Sequence, residues 1–411
     1  LQRNHDRRRR NEIICARGPD SSPRPLLALD NRGIRTYPDR TIEEALQLMD
    51  NSPIGVSQID RNFWAGRRVF VTGHTGFKGA WLCMWLRALG ARVHGYALAP
   101  QDRPNLFEVA RIAELNESSV FADIRDEGAL AAALRRAEPE ILFHMAAQSL
   151  VRRSYREPIE TVSTNVLGTA MVLDQARRAP RLRAIVNVTS DKCYENDGSG
   201  RPHVESDPMG GHDPYSASKG AAELIAAAFR RSFFSQGSCR LASVRAGNVI
   251  GGGDWAEDRL APDFFRALER GAPMTIRSPA ALRPWQHVLE PLSGYILLAQ
   301  ALAGAMAEEP DGDWNFGPDE DSVKPVQWVT GYLADRFGGS IEIDAGPHPH
   351  EAAALRLDCG KARRRLGWRP QWPLAVALDR TGEWILAHRD DQDMQKFSIG
   401  QIHAYPGSGL D

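Results

Sequence analysis

Cysteine is scarce in this 411-residue chain: Cys15, Cys83, Cys193, Cys239 and Cys359 are five, odd in number and widely scattered. They offer no disulfide framework and no metal-ligand spacing, so reduced thiols in a cytoplasmic protein are expected, with no metal. Long apolar runs are missing too. None approaches the roughly 18 residues a spanning helix needs, and no signal-peptide pattern opens the sequence, so no membrane partner is expected. Excess charge is also absent: 51 Lys and Arg against 52 Asp and Glu leave a formal net charge of -1. That balance gives no electrostatic reason to expect nucleic acid as a partner. What remains, 42% hydrophobic and 25% charged, is the composition of a globular protein large enough for one large domain or two.

The first 60 residues carry little hydrophobic period. They hold H-D-R-R-R-R at His5 to Arg10 and D-S-S-P-R-P at Asp20 to Pro25, and only Ile42 to Met49, N-capped by Thr41, suits a short amphipathic helix. Residues 1–60 are therefore expected to be a disordered or non-native extension. From Arg67 onward strands and helices alternate. Strands are expected at Arg68–Val71, Arg92–Ala97, Ser119–Ala122, Ile141–His144, Ala184–Val188 and Arg240–Val244. Helices are expected at Ala80–Leu89, Glu127–Ala137, Ile159–Arg178 and Tyr215–Phe234. This alternation predicts an α/β fold with a doubly wound parallel sheet (Rossmann). After Gly247 shorter helices and Gly/Pro-rich loops predict a smaller C-terminal α/β substrate domain. The expected boundaries are 61–246 for the dinucleotide-binding domain, with a segment returning near 284–305, then 247–390 for the substrate domain and 391–411 for a tail.

Between the first strand and its helix stands Thr72-Gly73-His74-Thr75-Gly76-Phe77-Lys78-Gly79. Of its glycines, Gly73 permits a tight turn, Gly76 lets backbone approach a pyrophosphate and Gly79 lets helix pack on strand. The helix amides then face the phosphates. The strand Arg92–Ala97 does not end in the acid that would bind the adenosine ribose, which leaves NAD and NADP both open. Asp123, in Ala122-Asp123-Ile124, stands where a carboxylate could bond an adenine amino group.

Tyr215 and Lys219 in Asp213-Pro214-Tyr215-Ser216-Ala217-Ser218-Lys219 are four residues apart at the start of a helix, hence on one face. A phenol titrates near 10 in water, too high for a base at neutral pH. A neighbouring ammonium and a positive nicotinamide ring are expected to lower that value, so that Tyr215 takes a proton from a sugar hydroxyl while Lys219 holds the nicotinamide ribose.

The glycine turn and the Tyr-x-x-x-Lys pair together resemble the extended short-chain dehydrogenase/reductase family, over about residues 62 to 385. Thr189-Ser190-Asp191-Lys192-Cys193-Tyr194-Glu195-Asn196 sits at the family's hydroxyl-bearing position, and His144-Met145-Ala146-Ala147-Gln148 ends the fourth strand beside the cofactor. Gly247-Asn248-Val249-Ile250-Gly251-Gly252-Gly253-Asp254-Trp255 resembles the nucleotide-sugar segment. T-G-H-T-G-F-K-G and T-S-D-K-C-Y-E-N are similar to the members that dehydrate CDP-glucose at carbons 4 and 6.

The resemblance implies NAD as cofactor, held by Gly73, Thr75, Gly76, Phe77, Gly79, Asp123, Ile124, Ala146, Ala147, Tyr215 and Lys219. It implies CDP-glucose as substrate, touched by Gln148, Asn248, Arg259 and Arg283, and a homodimer or homotetramer. The product would feed deoxysugars for surface polysaccharide such as lipopolysaccharide O-antigen. Ser190 would bond the sugar's 4-oxygen and Asp191 would protonate the departing 6-hydroxyl. Related dehydratases carry Glu where Lys192 stands. Lys192 is either the base at carbon 5 or an electrostatic partner of the enolate. A 4-epimerase on the same fold, a dehydratase of another nucleotide sugar and a non-catalytic nucleotide binder are the alternatives. Asp191-Lys192 speaks against the first, Lys192 against the second, and the complete set Tyr215, Lys219 and Asp191 against the third. His348 and His350, beside prolines and without a third ligand, make no metal site.

Overall fold

Seven parallel strands form one sheet in the computed structural model of the chain: β1 (Arg68–Thr72), β2 (Arg92–Ala97), β3 (Ser118–Phe121), β4 (Ile141–His144), β5 (Ala184–Val188), β6 (Arg240–Ala246) and β7 (Gly312–Phe316). The structure describes residues 57–410 except 197, 236, 238, 305–311, 345 and 347–354, together with three short N-terminal strands. Those strands, Glu12–Ile14, Leu26–Asp30 and Gly33–Tyr37, pair antiparallel with one another. The helix expected at Ile42–Met49 and the pair His348 and His350 lie outside the described residues.

The sheet order is β7-β6-β5-β4-β1-β2-β3, so the winding reverses between β1 and β4, where Thr72 pairs with His144. A crevice opens at such a reversal, outside the carboxyl ends of the strands. The two-residue period of each strand sorts its side chains to two cores. Val69, Val71, Ile141, Phe143 and Val186 face a layer formed by α1 (Phe77–Ala88) and a later helix, Leu289–Ala303. Phe70, Leu142, Ile185 and Leu241 face α2 (Glu127–Ala137), α3 (Gly168–Ala176) and α4 (Pro214–Phe229). Trp81 and Trp85 of α1 are fully buried packing residues, as is Trp368 very nearly. The helix Leu289–Ala303 lies in the segment read as returning to the sheet.

Two expected long helices are interrupted. The stretch Ile159–Arg178 resolves into Pro158–Val162, a π-helical turn Ser163–Leu167 and α3, and α4 ends in a second π turn, Arg230–Phe234. The first widened turn places buried Asn165, which accepts from Gln148 N at 2.9 Å and donates to the Ser218 hydroxyl at 2.9 Å.

Beyond β6, α5 (Leu260–Glu269), α6 (the helix Leu289–Ala303), α7 (Val326–Phe337) and α8 (Leu374–Arg389) follow. Among these, α5, α7 and α8 bury Phe264, Phe265, Val329, Leu333 and Leu378 in a third core with Trp285. The last residues hold α9 (Met394–His403), packed on α1 and α8. Trp85 Nε1 donates to Ser408 O at 2.9 Å, and Tyr405 donates to Glu290 Oε2 at 2.7 Å, so the segment read as a tail is bonded into the layer below the sheet. No helix among the described residues is long and apolar enough to cross a membrane.

Candidate active site

A cleft of about 980 Å³ lies along the carboxyl ends of the strands and continues under the smaller domain. Its floor begins at the turn after β1. Gly73 has φ +77°, and a Cβ there would stand 2.7 Å from Ala146 N; a Cβ on Gly79 would stand 2.1 Å from Gly73 O. Only glycine fits at either position. Thr72 Oγ1 accepts from Met145 N and Ala146 N at 3.1 and 3.2 Å, which ties the turn to the end of β4. Gly76 offers no side-chain cap to α1, so the helix amides point at the cleft unscreened. This backbone cradle fits the pyrophosphate of a dinucleotide. Thr75, Phe77, Ile124, Ala146 and Ala147 line it, with Thr75 Oγ1 donating to Leu98 O at 3.0 Å.

Two expected ligand contacts are occupied internally. Asp123 reaches the cleft wall, but Arg125 donates to both carboxylate oxygens, at 3.0 Å from Nε to Oδ1 and 2.6 Å from Nη2 to Oδ2. The guanidinium holds this carboxyl below its ordinary range and also pairs with Glu160 at 2.7 Å. The backbone carbonyl of Asp123 is occupied as well, accepting from the Tyr96 hydroxyl at 2.8 Å. The free acid expected for an adenine amino group is thus an ion-pair member. Gln148 is likewise turned inward. Its Nε2 donates to Thr161 Oγ1 and Leu150 O, and its Oε1 accepts from Leu150 N at 2.6 Å, so the amide shapes its own loop.

The remaining expected residues converge. Asp213 caps α4 by accepting from Ser216 N at 2.9 Å, with Pro214 in the first turn, and this starts the helix where Tyr215 and Lys219 face the cleft. Ser190 caps the short turn Asp191–Cys193, donates to Asp191 Oδ1 at 3.0 Å and accepts from Lys192 N at 3.2 Å. Burial raises the Asp191 carboxyl above its ordinary range, against the pull of Lys192, Ser190 and Arg283. That is the direction a general acid requires. Gly247 makes room for this carboxyl, since a Cβ there would stand 3.1 Å from Asp191 Oδ2. Asn248, Arg259 and Arg283 also line the cleft, with Arg283 acting on Asp191 and Arg259 on Tyr215.

The electrostatics correct one expectation. Burial pushes the Tyr215 phenol up to about 12, opposed by its hydrogen bond with Ser190 and by Arg259 rather than by Lys219. Lys219 donates to Val188 O at 3.3 Å, and burial brings its own pKa down to about 8. A sequence motif gives the spacing of phenol and ammonium but not how dry their surroundings are.

Two residues of the glycine turn went unassigned in the sequence. His74 is fully buried and kept neutral, lowered to about 4, with its ring filling the space that the absent Gly95 side chain leaves. Lys78 donates to Tyr295 Oη at 3.1 Å and is lowered to about 7 by burial and by the cations Lys219 and Arg259. A lysine between the second and third glycines was the signal available.

The sequence model of a family described as GDP-mannose 4,6 dehydratase matches residues 70–381. The CDP-glucose 4,6-dehydratase of Salmonella typhimurium is 51% identical over 354 residues, covering 84% of this chain and 98% of that protein. The dTDP-glucose 4,6-dehydratase of Streptomyces antibioticus is 30% identical over 66% of this chain and 78% of that protein. Among solved structures, the dTDP-glucose 4,6-dehydratase DesIV from Streptomyces venezuelae, with NAD bound, superposes with a TM-score of 0.68 at 28% identity. That likeness covers 79% of this chain and 99% of DesIV.

Proposed function

This chain belongs to the GDP-mannose 4,6 dehydratase family of the extended short-chain dehydrogenase/reductases, and we propose that it converts CDP-glucose to CDP-4-keto-6-deoxyglucose and water. The single observation that carries the reading is the buried acid Asp191, bonded by Ser190 beside Tyr215. An epimerase has no use for an acid in that place.

The glycine cradle Gly73, Gly76 and Gly79, with Thr75, Phe77, Ile124, Ala146 and Ala147, would hold NAD, and Lys219 would hold its ribose. Bound there, the nicotinamide would supply a reversible hydride acceptor for carbon 4 and donor for carbon 6. Tyr215, whose phenolate the positive nicotinamide ring would favour against burial, removes the proton of the 4-hydroxyl. The ketone at carbon 4 acidifies the carbon 5 proton, which Lys192 takes. Asp191 gives its proton to the departing 6-hydroxyl, which leaves as water. Lys192 returns its proton to carbon 5 once carbon 6 is reduced. Tyr215 then holds one proton too many and Asp191 one too few, and Ser190, in contact with both, passes it across. Asn248, Arg259 and Arg283 hold the diphosphate, since a planar guanidinium matches its oxygens.

The protein works as a cytoplasmic homodimer. The outer sides of the 158–176 segment and of α4 with its π turn expose Ile159, Leu167, Leu224 and Phe233, of which Ile159 is 80% exposed. Large apolar side chains gathered on two adjacent helices suit a second copy of the same face.

The test is incubation of the purified protein with CDP-, dTDP-, GDP- and UDP-glucose, with and without added NAD, followed by NMR. A 4-keto-6-deoxy product from CDP-glucose without net reduced cofactor is expected. A 4-epimer, or turnover of another nucleotide sugar alone, overturns the assignment.

A further inference from the structure

We propose that Glu223 is a positioning residue for the reacting loop, with Arg245 as its instrument; the inference rests on the dehydratase reading above. Tyr215, Lys219 and Glu223 follow one another at four-residue intervals on α4 and share a face. The first two face the cleft. Glu223 lies one turn deeper, 3% exposed, beneath the loop that carries the acid.

Its carboxylate holds that loop at Thr189 directly and at Tyr194 through Arg245. Glu223 Oε1 accepts the Thr189 hydroxyl and, at 2.8 Å, Arg245 Nε, while Oε2 accepts Arg245 Nη2 at 3.0 Å. Arg245 Nη1, on β6, donates to Tyr194 Oη at 2.7 Å and to Glu205 O at 3.0 Å. Tyr194 in turn donates to Asn315 Oδ1 on β7 at 2.7 Å. Thr189 and Tyr194 are therefore fixed to α4, β6 and β7, and between them are held Ser190, Asp191 and Lys192, followed by the buried Cys193.

Stability alone does not account for this arrangement. Both side chains are almost wholly excluded from water, and a well-packed apolar pair of similar volume would serve a fold as well or better than a buried ion pair. A bidentate pair adds direction: its planar geometry admits one relative placement of helix and strand. The charge also reaches Lys219, whose ammonium Glu223 favours against burial. One carboxylate thus sets where the acid sits and keeps the neighbouring lysine charged.

The experiment compares wild type, Glu223→Gln, Thr189→Val and Tyr194→Phe as full-length proteins, with kcat and KM for CDP-glucose across pH and thermal unfolding in parallel. Glu223→Gln is expected to lose about ten- to hundredfold in kcat with KM within about twofold, the size of effect a small misplacement produces. Its alkaline limb moves to lower pH, because Lys219 loses its favouring charge. Thr189→Val and Tyr194→Phe keep the ion pair and are expected to lose about tenfold in kcat with the alkaline limb unmoved. A folded Glu223→Gln with wild-type kcat and pH profile overturns the inference. If Glu223→Gln does not fold, Thr189→Val and Tyr194→Phe decide, and wild-type kcat in both overturns it. A wild type that leaves CDP-glucose unchanged overturns the dehydratase reading itself and this inference with it.

Discussion

Ser190 donates its hydroxyl to Asp191 Oδ1 at 3.0 Å, inside a pocket where burial holds that carboxyl in its acid form longer than water would. The bond fixes the acid's direction without supplying charge. Asp191→Asn keeps the acceptor for Ser190 and removes the transferable proton. Its kcat is expected to fall by about 10² to 10⁴, the usual contribution of a positioned general acid. Oxidation at carbon 4 does not use this carboxyl. A single turnover of the variant should therefore build up the near-ultraviolet absorbance of reduced nicotinamide, which wild type does not accumulate. A variant with wild-type kcat removes Asp191 from the chemistry.

Lys219 gives the pH dependence. Burial lowers its pKa from 10.5 to about 8, so the ammonium is lost as pH rises through about 8. kcat/KM is expected to fall on that alkaline limb, and Lys219→Met should leave low activity without it. Stability runs the other way. Between about 8 and 10.5 the unfolded chain still binds the proton that the folded one has released, so this group makes stability rise with pH. Rate profiles and denaturant midpoints over the same range check both signs. An alkaline limb retained by Lys219→Met assigns it to another group.

The sheet was legible in the sequence because short, nearly continuous apolar runs such as Ile141–His144 and Ala184–Val188 alternate with helices, and those two ranges match to the residue. The glycine turn was legible because φ and close approach admit one residue type. Interactions made across distant segments were not. Arg125 takes Asp123 and Thr161 takes Gln148, and neither partnership leaves a mark on the motif that named Asp123 and Gln148. The height of the Tyr215 pKa was hidden for the same reason, since it depends on how much protein covers the phenol. Lys78 stood in plain view within the fingerprint, but only the fold brings its ammonium near Asp191 and Lys219.

Gly79 tests the cofactor cradle. A methyl group there would stand 2.1 Å from Gly73 O, which forces α1 away from the turn or the turn away from β4. Gly79→Ala is expected to weaken NAD binding by tenfold or more, about 1.4 kcal/mol by the affinity relation. Fluorescence titration with reduced cofactor measures it. An unchanged dissociation constant would mean that the turn has room the geometry denies.

The apolar outer side of the 158–176 segment and α4 tests the assembly. Ile159 at 80% and Leu224 at 62% exposure are large side chains that a lone protomer leaves in water, where each forgoes about 1.5 to 3 kcal/mol of burial. A two-fold pairing lays this face on its own copy, so one substitution acts twice. Ile159→Arg combined with Leu224→Arg places like charges opposite one another at that seam. Light scattering after size exclusion should show wild type at twice the 45.5 kDa of one chain and the variant at that mass. Neither side chain lines the cleft, so a folded monomeric variant still binds cofactor, and its thermal midpoint becomes independent of protein concentration. A variant that remains at the mass of two chains moves the interface to another face.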